Sequence, residues 1–137
     1  MLEAMVTLDE VAALALRLPE VVEGESRGNR SWDVGGKTFA WERPFSKADI
    51  KRFDGAEVPA GPILAVAVAD LGEKEAVLAQ QRPGYFTIAH FNGYPAVLVR
   101  LAAVQLPDLE ESLVDGWLAK APKRLADAFL AERPAER

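Results

Sequence analysis

The first apolar pattern along the chain is typical of an amphipathic helix that begins near Thr7. Thr7 and Glu10 form a capping box, in which each side chain can accept a hydrogen bond from a backbone N–H at the start of the helix. The apolar residues that follow are Leu8, Val11, Ala12, Ala15, Leu16 and Leu18. Because charged residues are few here, we expect most of this helix to be buried, and Pro19 prevents its extension.

Alternating residues around Gly35-Gly36 predict a β-hairpin. In the segment SWDVGGKTFAW the two glycines can adopt the positive φ angles of a two-residue turn. This register places Trp32 opposite Phe39 and Val34 opposite Lys37. Side chains alternate between the two faces of a strand. We therefore expect one face to carry Trp32, Val34, Phe39 and Trp41 and the other to carry Ser31, Asp33, Thr38 and Ala40.

A buried strand and a helix follow a long polar connection at 42–62, in which prolines and glycines break regular structure. A connection of this length usually indicates function or mobility. The apolar run from Ile63 to Ala69 predicts a central strand. Its larger residues lie on one face, and its alanines leave room on the other face for a closely packed helix. Asp70 and Glu73 resemble a second capping pattern, for a helix that runs to about Arg82.

The last third of the sequence predicts a second hairpin and two helices. YFTIAHF and YPAVLVRL flank Asn92-Gly93, a strong signal for a type I′ turn. A helix begins near Asp108, Pro122 opens a shorter one, and residues 131–137 are expected to form a frayed tail. The apolar stripe of the longer helix comprises Leu109, Leu113, Val114, Trp117, Leu118 and Ala121. The predicted order is α-β-β-β-α-β-β-α-α, an α+β fold with a mainly antiparallel sheet covered by helices.

Composition limits the chemistry that this fold can carry. The chain has 137 residues, a length suited to a single domain over 1–137. It has no cysteine and one histidine, which excludes disulfides, thiol catalysis and multi-histidine metal sites within one chain. It also lacks a glycine loop that could cradle the phosphates of a nucleotide. From these absences together we expect no metal and no cofactor. No segment reaches the roughly 20 apolar residues of a membrane span, and the acidic N-terminus is unlike a secretory signal. We expect a cytoplasmic protein with no membrane partner.

Two sequence features resemble catalytic groups, and for each a structural interpretation is favoured. The segment GESRG at 24–28 matches the G-x-S-x-G pattern of a nucleophile elbow, but a helix precedes it and a hairpin follows it, so we interpret it as a loop. His90 could be a general base, yet it has no evident nucleophile partner. We interpret it as a structural residue that hydrogen-bonds the turn and packs on Tyr85 or Tyr94. Catalysis would need a cleft that joins His90 to Tyr94 and Arg100, and we predict that the protein is not an enzyme.

Basic residues are concentrated in one part of the chain. Residues 25–54 carry seven bases and five acids, interleaved with aromatic residues, although the whole chain has a net charge of −5. Bases beside aromatic rings can contact phosphates and stack on nucleotides. The candidate contacts are Arg27, Arg30, Lys37, Arg43, Lys47, Lys51 and Arg52. The alternative is a solvated hairpin surface with Trp32, Phe39 and Trp41 in the core, which the pI of about 4.9 favours.

The order and spacing of four segments resemble the MmcQ/YjbR family of small bacterial proteins. These segments are LALRLPEVVEGESRG, SWDVGGKTFA, YFTIAHFNGYPAVLVRLAAV and LEESLVDGWLAKAPKRL, which together span about 14–125. The resemblance implies a curved antiparallel sheet with packed helices, related to CyaY-like and secretion-chaperone-like architectures. It also implies DNA binding through a double-wing arrangement, with no established activity or cofactor. The two wings would be the hairpins around Gly35-Gly36 and Asn92-Gly93.

Two functions of different classes are consistent with these features. The first is weak, largely sequence-independent DNA binding by the seven bases, which should fall steeply with salt. The second is a protein-interaction module without nucleic-acid binding, in which a sheet edge pairs with an extended segment of a partner in the manner of a chaperone.

Overall fold

The fold is an α+β arrangement in which one antiparallel sheet separates a layer of helices from a layer of loops. The computed structural model describes residues 5–132. The strands are β1 (Val22–Ser26), β2 (Asn29–Val34), β3 (Lys37–Glu42), β4 (Ile63–Ala67), β5 (Tyr85–Phe86) and β6 (Ala96–Arg100). The helices are α1 (Leu8–Leu16), α2 (Lys47–Arg52), α3 (Leu71–Ala79), α4 (Leu106–Lys120) and α5 (Lys123–Glu132), with a 3₁₀ helix at Ala89–Phe91.

The sheet confirms the predicted fold class, and the predicted order gains one strand and one α-helix besides the 3₁₀ helix. Its strand order is β1-β2-β3-β4-β6-β5, and every neighbouring pair is antiparallel. The additions are β1, in a segment that we interpreted as a loop, and α2, in the long polar connection. None of the helices within residues 5–132 has the length and apolar character needed to cross a bilayer.

The helix ends follow local capping chemistry. The Thr7 hydroxyl accepts from the Glu10 N–H at 3.1 Å, and the Glu10 carboxylate accepts from the Thr7 N–H at 2.9 Å, which confirms the capping box of α1. Asp70 caps α3 through the Glu73 N–H at 2.8 Å. That helix ends at Ala79 rather than near Arg82. Pro107 lies in the first turn of α4, where a missing N–H costs no hydrogen bond.

The first hairpin has the predicted turn but a different register beyond it. Gly35 and Gly36 have φ angles of 59° and 79°, and Val34 pairs with Lys37 as predicted. A β-bulge beside Trp32 then changes the pairing, so that Trp32 lies opposite Ala40 and not opposite Phe39. Because a bulge inserts one extra residue, it reverses the alternation beyond it.

The bulge corrects the predicted division of the hairpin between the two sheet faces. Phe39 and Ala40 both join the helix-side core, whereas Ala40 was expected on the other face. Trp41 packs on the opposite side of the sheet, although it was expected beside Trp32.

The GESRG segment forms part of a second, preceding hairpin. Gly24 and Ser26 lie in β1, and Arg27 and Gly28 form the turn to β2 with φ angles of 54° and 81°. The serine therefore lies at a strand end before a tight turn that leads into another strand, and not before a helix. A nucleophile elbow is absent at this position, although the loop interpretation of the segment was also wrong.

The predicted type I′ hairpin at Asn92-Gly93 is wrong. Asn92 has φ −59° and ψ 131°, Gly93 has φ 74°, and the Phe91 carbonyl accepts from the Tyr94 N–H at 3.0 Å. These angles are those of a type II turn. The chain leaves the sheet after β5 and forms the 3₁₀ helix, which places the Phe91 side chain in an apolar cluster with 4% of its surface exposed. Burial of this ring is the physical reason why the strand does not continue to the turn.

The face of the sheet that α1, α3, α4 and α5 cover is called the helix face. Leu64, Val66 and Val68 of the central strand region share this face, which confirms that the larger residues lie together on one side of the strand. Helix α4 approaches closely through Gly116, where a Cβ would lie 3.0 Å from the Ala67 carbonyl oxygen. The closest helix therefore packs on the face with the larger residues, whereas we expected it on the alanine face.

The opposite face of the sheet is covered by two segments, 43–53 and 87–95, together called the loop layer. Beneath them lies a second apolar cluster that includes Ile63, Ala65, Phe91, Ala96 and Leu98. Trp41, Phe45, Phe86 and Ile88 pack around this cluster.

The C-terminal helix closes the helix face at the tip of the glycine turn. A Cβ on Gly35 would lie 2.8 Å from the ring of Pro122, the residue that precedes α5. The Trp117 ring lies 4.9 Å from that of Phe129, and its Nε1 donates to the Pro19 carbonyl at 3.0 Å. The predicted frayed tail is helical at Ala131 and Glu132, and its remainder lies outside the described residues.

Candidate nucleic-acid interface

The seven predicted contact residues fall into two groups in the structure. Three lie on the first hairpins: Arg27 in the β1–β2 turn, Arg30 in β2 and Lys37 at the start of β3. Four lie in the loop layer: Arg43, Lys47, Lys51 and Arg52. Only the second group is contiguous.

Arg27 and Lys37 do not form one contact surface. They flank opposite ends of β2, which has six residues and therefore spans about 20 Å at roughly 3.3 Å per residue. Both side chains are exposed and make no ion pair within the described residues. The two residues therefore do not belong to one compact patch.

Arg30 is already bound to acidic partners. Its guanidinium contacts Glu23 at 2.7 Å and Asp9 at 2.9 Å, and it lies 5.6 Å from the centre of the Trp32 ring. The hydrogen bond from Arg30 lowers the pKa of the Glu23 carboxyl, which also accepts from the indole of Trp32. Phosphate would have to displace these carboxylates, so Arg30 is a poor contact for nucleic acid.

Arg43 fixes the loop layer to the sheet. Its guanidinium pairs with Asp49 at 2.9 Å, lies 5.5 Å from the centre of the Phe91 ring and donates to the Pro44 carbonyl at 2.6 Å. The side chain is 19% exposed. These contacts join both segments of the loop layer and leave little of Arg43 for a ligand.

Asp49 is the acidic centre of this arrangement, and it faces inward. Its carboxylate accepts from the Ser46 N–H at 2.9 Å in a capping box and also lies 3.8 Å from Arg52. Burial alone would raise the pKa of Asp49, but the Ser46 N–H and the Arg43 guanidinium outweigh it and lower the pKa. The side chain is 1% exposed.

Because Asp49 is turned inward, the solvent side of α2 is cationic. The α2 patch consists of Lys47, Lys51 and Arg52, all of which are exposed. Lys47 and Lys51 lie one helical turn apart and therefore share a face. Neither makes an ion pair within residues 5–132. The exposed Asp54, just beyond α2, is the nearest acid along the chain that partly offsets this charge.

The aromatic residues near these bases are fully or partly buried and pack against other apolar groups. Trp32 and Phe39 are fully buried on the helix face. Trp41 lies 6.5 Å from the Phe91 ring, and Phe45 lies 5.5 Å from the Phe53 ring. These rings build the two apolar clusters, as the core alternative expected.

Lys74 is a structural element of the loop layer that the sequence did not reveal. Its side chain is buried on α3, and its Nζ donates to the carbonyls of Phe91 at 2.5 Å and Tyr94 at 2.8 Å. Burial lowers the pKa of this ammonium group. Because Glu73 and Glu75 flank it, its local sequence is typical of a solvated lysine and gives no signal of burial.

His90 lies at the surface of the loop layer. It is exposed beside a cavity of about 100 Å³ that Asp49, Arg52 and Ile88 also line. Its ring lies 6.1 Å from that of Phe91, whereas we expected packing on a tyrosine.

The other two groups that catalysis would need lie apart from each other. Tyr94 precedes the start of β6, whereas Arg100 ends that strand and donates to the Ala60 carbonyl at 2.9 Å. The described residues also contain no group of three or more metal-ligating side chains placed to hold an ion.

Comparison with known proteins identifies relatives of this chain in mycobacteria. One protein from Mycobacterium bovis and two from strains of Mycobacterium tuberculosis, all uncharacterised, are each 46% identical to the chain over 129 residues. Each match covers 93% of this chain and 98% of the relative. The chain belongs to the family of these mycobacterial proteins. No family model and no solved structure matches this chain.

Proposed function

We propose that the protein binds the DNA backbone weakly and without sequence preference, through the α2 patch. The observation that carries this proposal is the inward orientation of Asp49, which leaves Lys47, Lys51 and Arg52 as the solvent-facing charges of α2. Lysine and arginine on an exposed surface contact phosphate without reading bases. The resemblance to MmcQ/YjbR proteins, which implies DNA binding, is part of the same proposal and is supported by the α+β order.

The proposed contact differs from a double wing. The tip of the glycine turn at Gly35 lies against Pro122, and Asn92-Gly93 belongs to a type II turn in the loop layer. Arg30 and Arg43 are held by carboxylates. We therefore assign the DNA contact to the α2 patch and not to the wing tips. The contact then includes three of the seven basic residues that the sequence suggested.

The charge balance sets the expected strength. The net charge of −5 opposes the approach of DNA, and Trp32 and Phe39 are buried in the core and cannot stack on bases. Three phosphate contacts give a salt slope of about −2.7 in log K against log salt, so affinity should fall about 40-fold between roughly 50 and 200 mM salt.

The proposal is tested by titrating a labelled DNA duplex with the protein at both salt concentrations. Lys47→Glu with Lys51→Glu should abolish measurable binding. The matched control is Lys37→Glu with Lys123→Glu, which changes the net charge equally at two exposed positions. The control should lose far less affinity, because neither residue lies in the α2 patch.

Two outcomes would refute DNA binding by this patch. One is the absence of any binding at tens of micromolar protein in low salt. The other is an equal loss of binding in both double variants, which would show a response to net charge alone. Circular dichroism of both variants checks that the fold is retained.

A further inference from the structure

Strand β1 is an open edge of the sheet. It pairs with β2 along all five of its residues in a regular register. Within residues 5–132, no backbone hydrogen bond joins it to any segment other than β2. Four of its five residues are exposed, so its outer backbone groups are accessible to another chain.

This edge lacks most of the features that stop strands from pairing with other chains. Proteins usually protect an edge with proline, charged side chains, a bulge or a very short strand, and of these β1 has only the charges of Glu23 and Glu25. The opposite edge, β5, has two residues and is protected by its length. The sequence of β1, VEGES, has no proline and no lysine, and the only irregularity in this part of the sheet lies between β2 and β3.

The side chains of β1 give this edge a definite chemical character. Glu23 and Glu25 lie on one face of the strand, and Val22, Gly24 and Ser26 lie on the other. Glu25 is exposed and makes no ion pair within the described residues, whereas Glu23 is held by Arg30. Val22 is 66% exposed.

The existing neighbour, β2, shows which residues fit beside these acids. In the register of the hairpin, Arg30 lies opposite Glu25 and Trp32 lies opposite Glu23. A strand added on the open side would meet the same two carboxylates from the other direction. Cross-strand pairs of opposite charge are stabilising and like charges are destabilising. The edge therefore favours a strand with a basic residue at alternating positions.

The same acids disfavour a second copy of this chain. Antiparallel pairing of β1 with itself about Gly24 would place Glu23 opposite Glu25 of the copy, twice in each pair. Such like-charge contacts oppose self-association through this edge.

We propose that β1 binds an extended, basic segment of another protein by strand addition, with lysine or arginine at alternating positions. Backbone hydrogen bonds along β1 provide the affinity, and Glu25 provides the selectivity for a cation. This site does not include the α2 patch, which lies in the loop layer, so the two proposals stand or fall separately.

A synthetic peptide in which lysine alternates with threonine is the probe for this site. Binding should protect backbone amides of β1 from hydrogen exchange, measured by NMR, and leave those of β6 unchanged. The same peptide with N-methylated backbone nitrogens on alternate residues keeps its charge but cannot complete the ladder, and it should give no protection. A peptide with glutamate in place of lysine should bind about ten-fold or more weakly.

A charge reversal in the protein sharpens the test. Glu25→Lys should weaken binding of the lysine peptide and strengthen that of the glutamate peptide, and the variant should fold because the side chain is exposed. Lys47→Glu with Lys51→Glu should leave peptide binding intact. The proposal is overturned by equal protection with the N-methylated peptide, by indifference to Glu25→Lys, or by no protection at millimolar peptide.

Discussion

The two faces of the sheet are covered in physically different ways. On the helix face, fully buried rings and aliphatic side chains such as Trp32, Phe39 and Trp117 pack against one another. In the loop layer, the apolar cluster is smaller, and polar contacts of Arg43 with Asp49 and of Lys74 with backbone carbonyls hold the covering segments. Apolar burial is non-directional, whereas these polar contacts fix specific groups in specific positions.

This difference assigns stability to one face and surface chemistry to the other. A covering layer with few apolar contacts can open at lower free energy than the core beneath it. The α2 patch lies on that layer, and its cationic surface exists because one carboxylate is buried under it. Substitutions on the helix face should therefore lower global stability, and those in the loop layer should act more locally.

Trp117→Ala should produce the largest loss of stability. Removing a fully buried indole creates a cavity and leaves the Pro19 carbonyl without its donor, at a cost of about 3–5 kcal/mol in the free energy of unfolding. Urea denaturation measures it. Leu130→Ala, at a residue 55% exposed on α5, is the control and should change little. A loss below about 1 kcal/mol would contradict the dominance of the helix face.

Asp49→Ala should cost about 2–3 kcal/mol, because it removes a buried partner of Arg43 and the carboxylate that completes the capping box of α2 with Ser46. Asp54→Ala, at an exposed position just after the helix, should be nearly neutral. Hydrogen exchange should show the greatest loss of protection at 43–53. If both alanine variants behave alike, the ion pair does not hold the loop layer.

The same carboxylate makes part of the stability dependent on pH. Because the folded state lowers the pKa of Asp49 from its ordinary value of 3.8, the stability that it supplies is present above that value and is lost as the pH falls through the folded pKa. Asp49→Asn should therefore flatten the acid limb of a plot of unfolding free energy against pH. An unchanged acid limb would show that other carboxyl groups control it.

Lys74→Met should have a smaller and local effect of about 1–2 kcal/mol, since methionine fills the volume but leaves two carbonyls without their donor. Protection from hydrogen exchange should fall at 87–95 and stay constant in β4. Lys123→Met, at a residue whose side chain is 88% exposed, serves as the control. A uniform loss of protection from hydrogen exchange across the sheet would show that the loop layer and the core open together.

Gly116→Ala should give the smallest change, a loss of about 1 kcal/mol, because two effects oppose each other. Alanine favours the helix by about 1 kcal/mol, but its Cβ would lie 3.0 Å from the Ala67 carbonyl oxygen and from a methyl of Val66, an overpacking that costs more. Gly72→Ala in α3, where the nearest atom lies at 3.4 Å, should be neutral or stabilising. A stabilised G116A protein would mean that α4 can move away from the sheet.

Sequence patterns predicted the helix face well because apolar periodicity depends on burial alone. The capping box at Thr7, the alternation through Leu64 and Val66, and the stripe through Trp117 are all local signals. The alternating pattern predicted the wrong sheet faces where a β-bulge inserts an extra residue into the pairing of β2 with β3. A bulge beside Trp32 leaves no mark in an alternating sequence, and it moved Ala40 and Trp41 to unexpected faces.

The loop layer was less predictable because tertiary contacts decide its conformation. Asn92-Gly93 suits both type I′ and type II turns, and the burial of Phe91 selects between them. Asp49 and Lys74 occur among other charged residues, so their sequence context resembles that of solvated side chains. The candidate site could be found as a concentration of bases, but not as a surface, until the direction of Asp49 was known.

The two tight turns of the hairpins also differ in how they would accept added chain. A Cβ on Gly28 would meet nothing within 4 Å, whereas one on Gly35 would collide with Pro122. Fluorophores, epitopes or inserted peptides belong at the Arg27-Gly28 turn, where they would leave the packing undisturbed. The same insertion at Gly35-Gly36 would push α5 away from the sheet and separate Phe129 from Trp117.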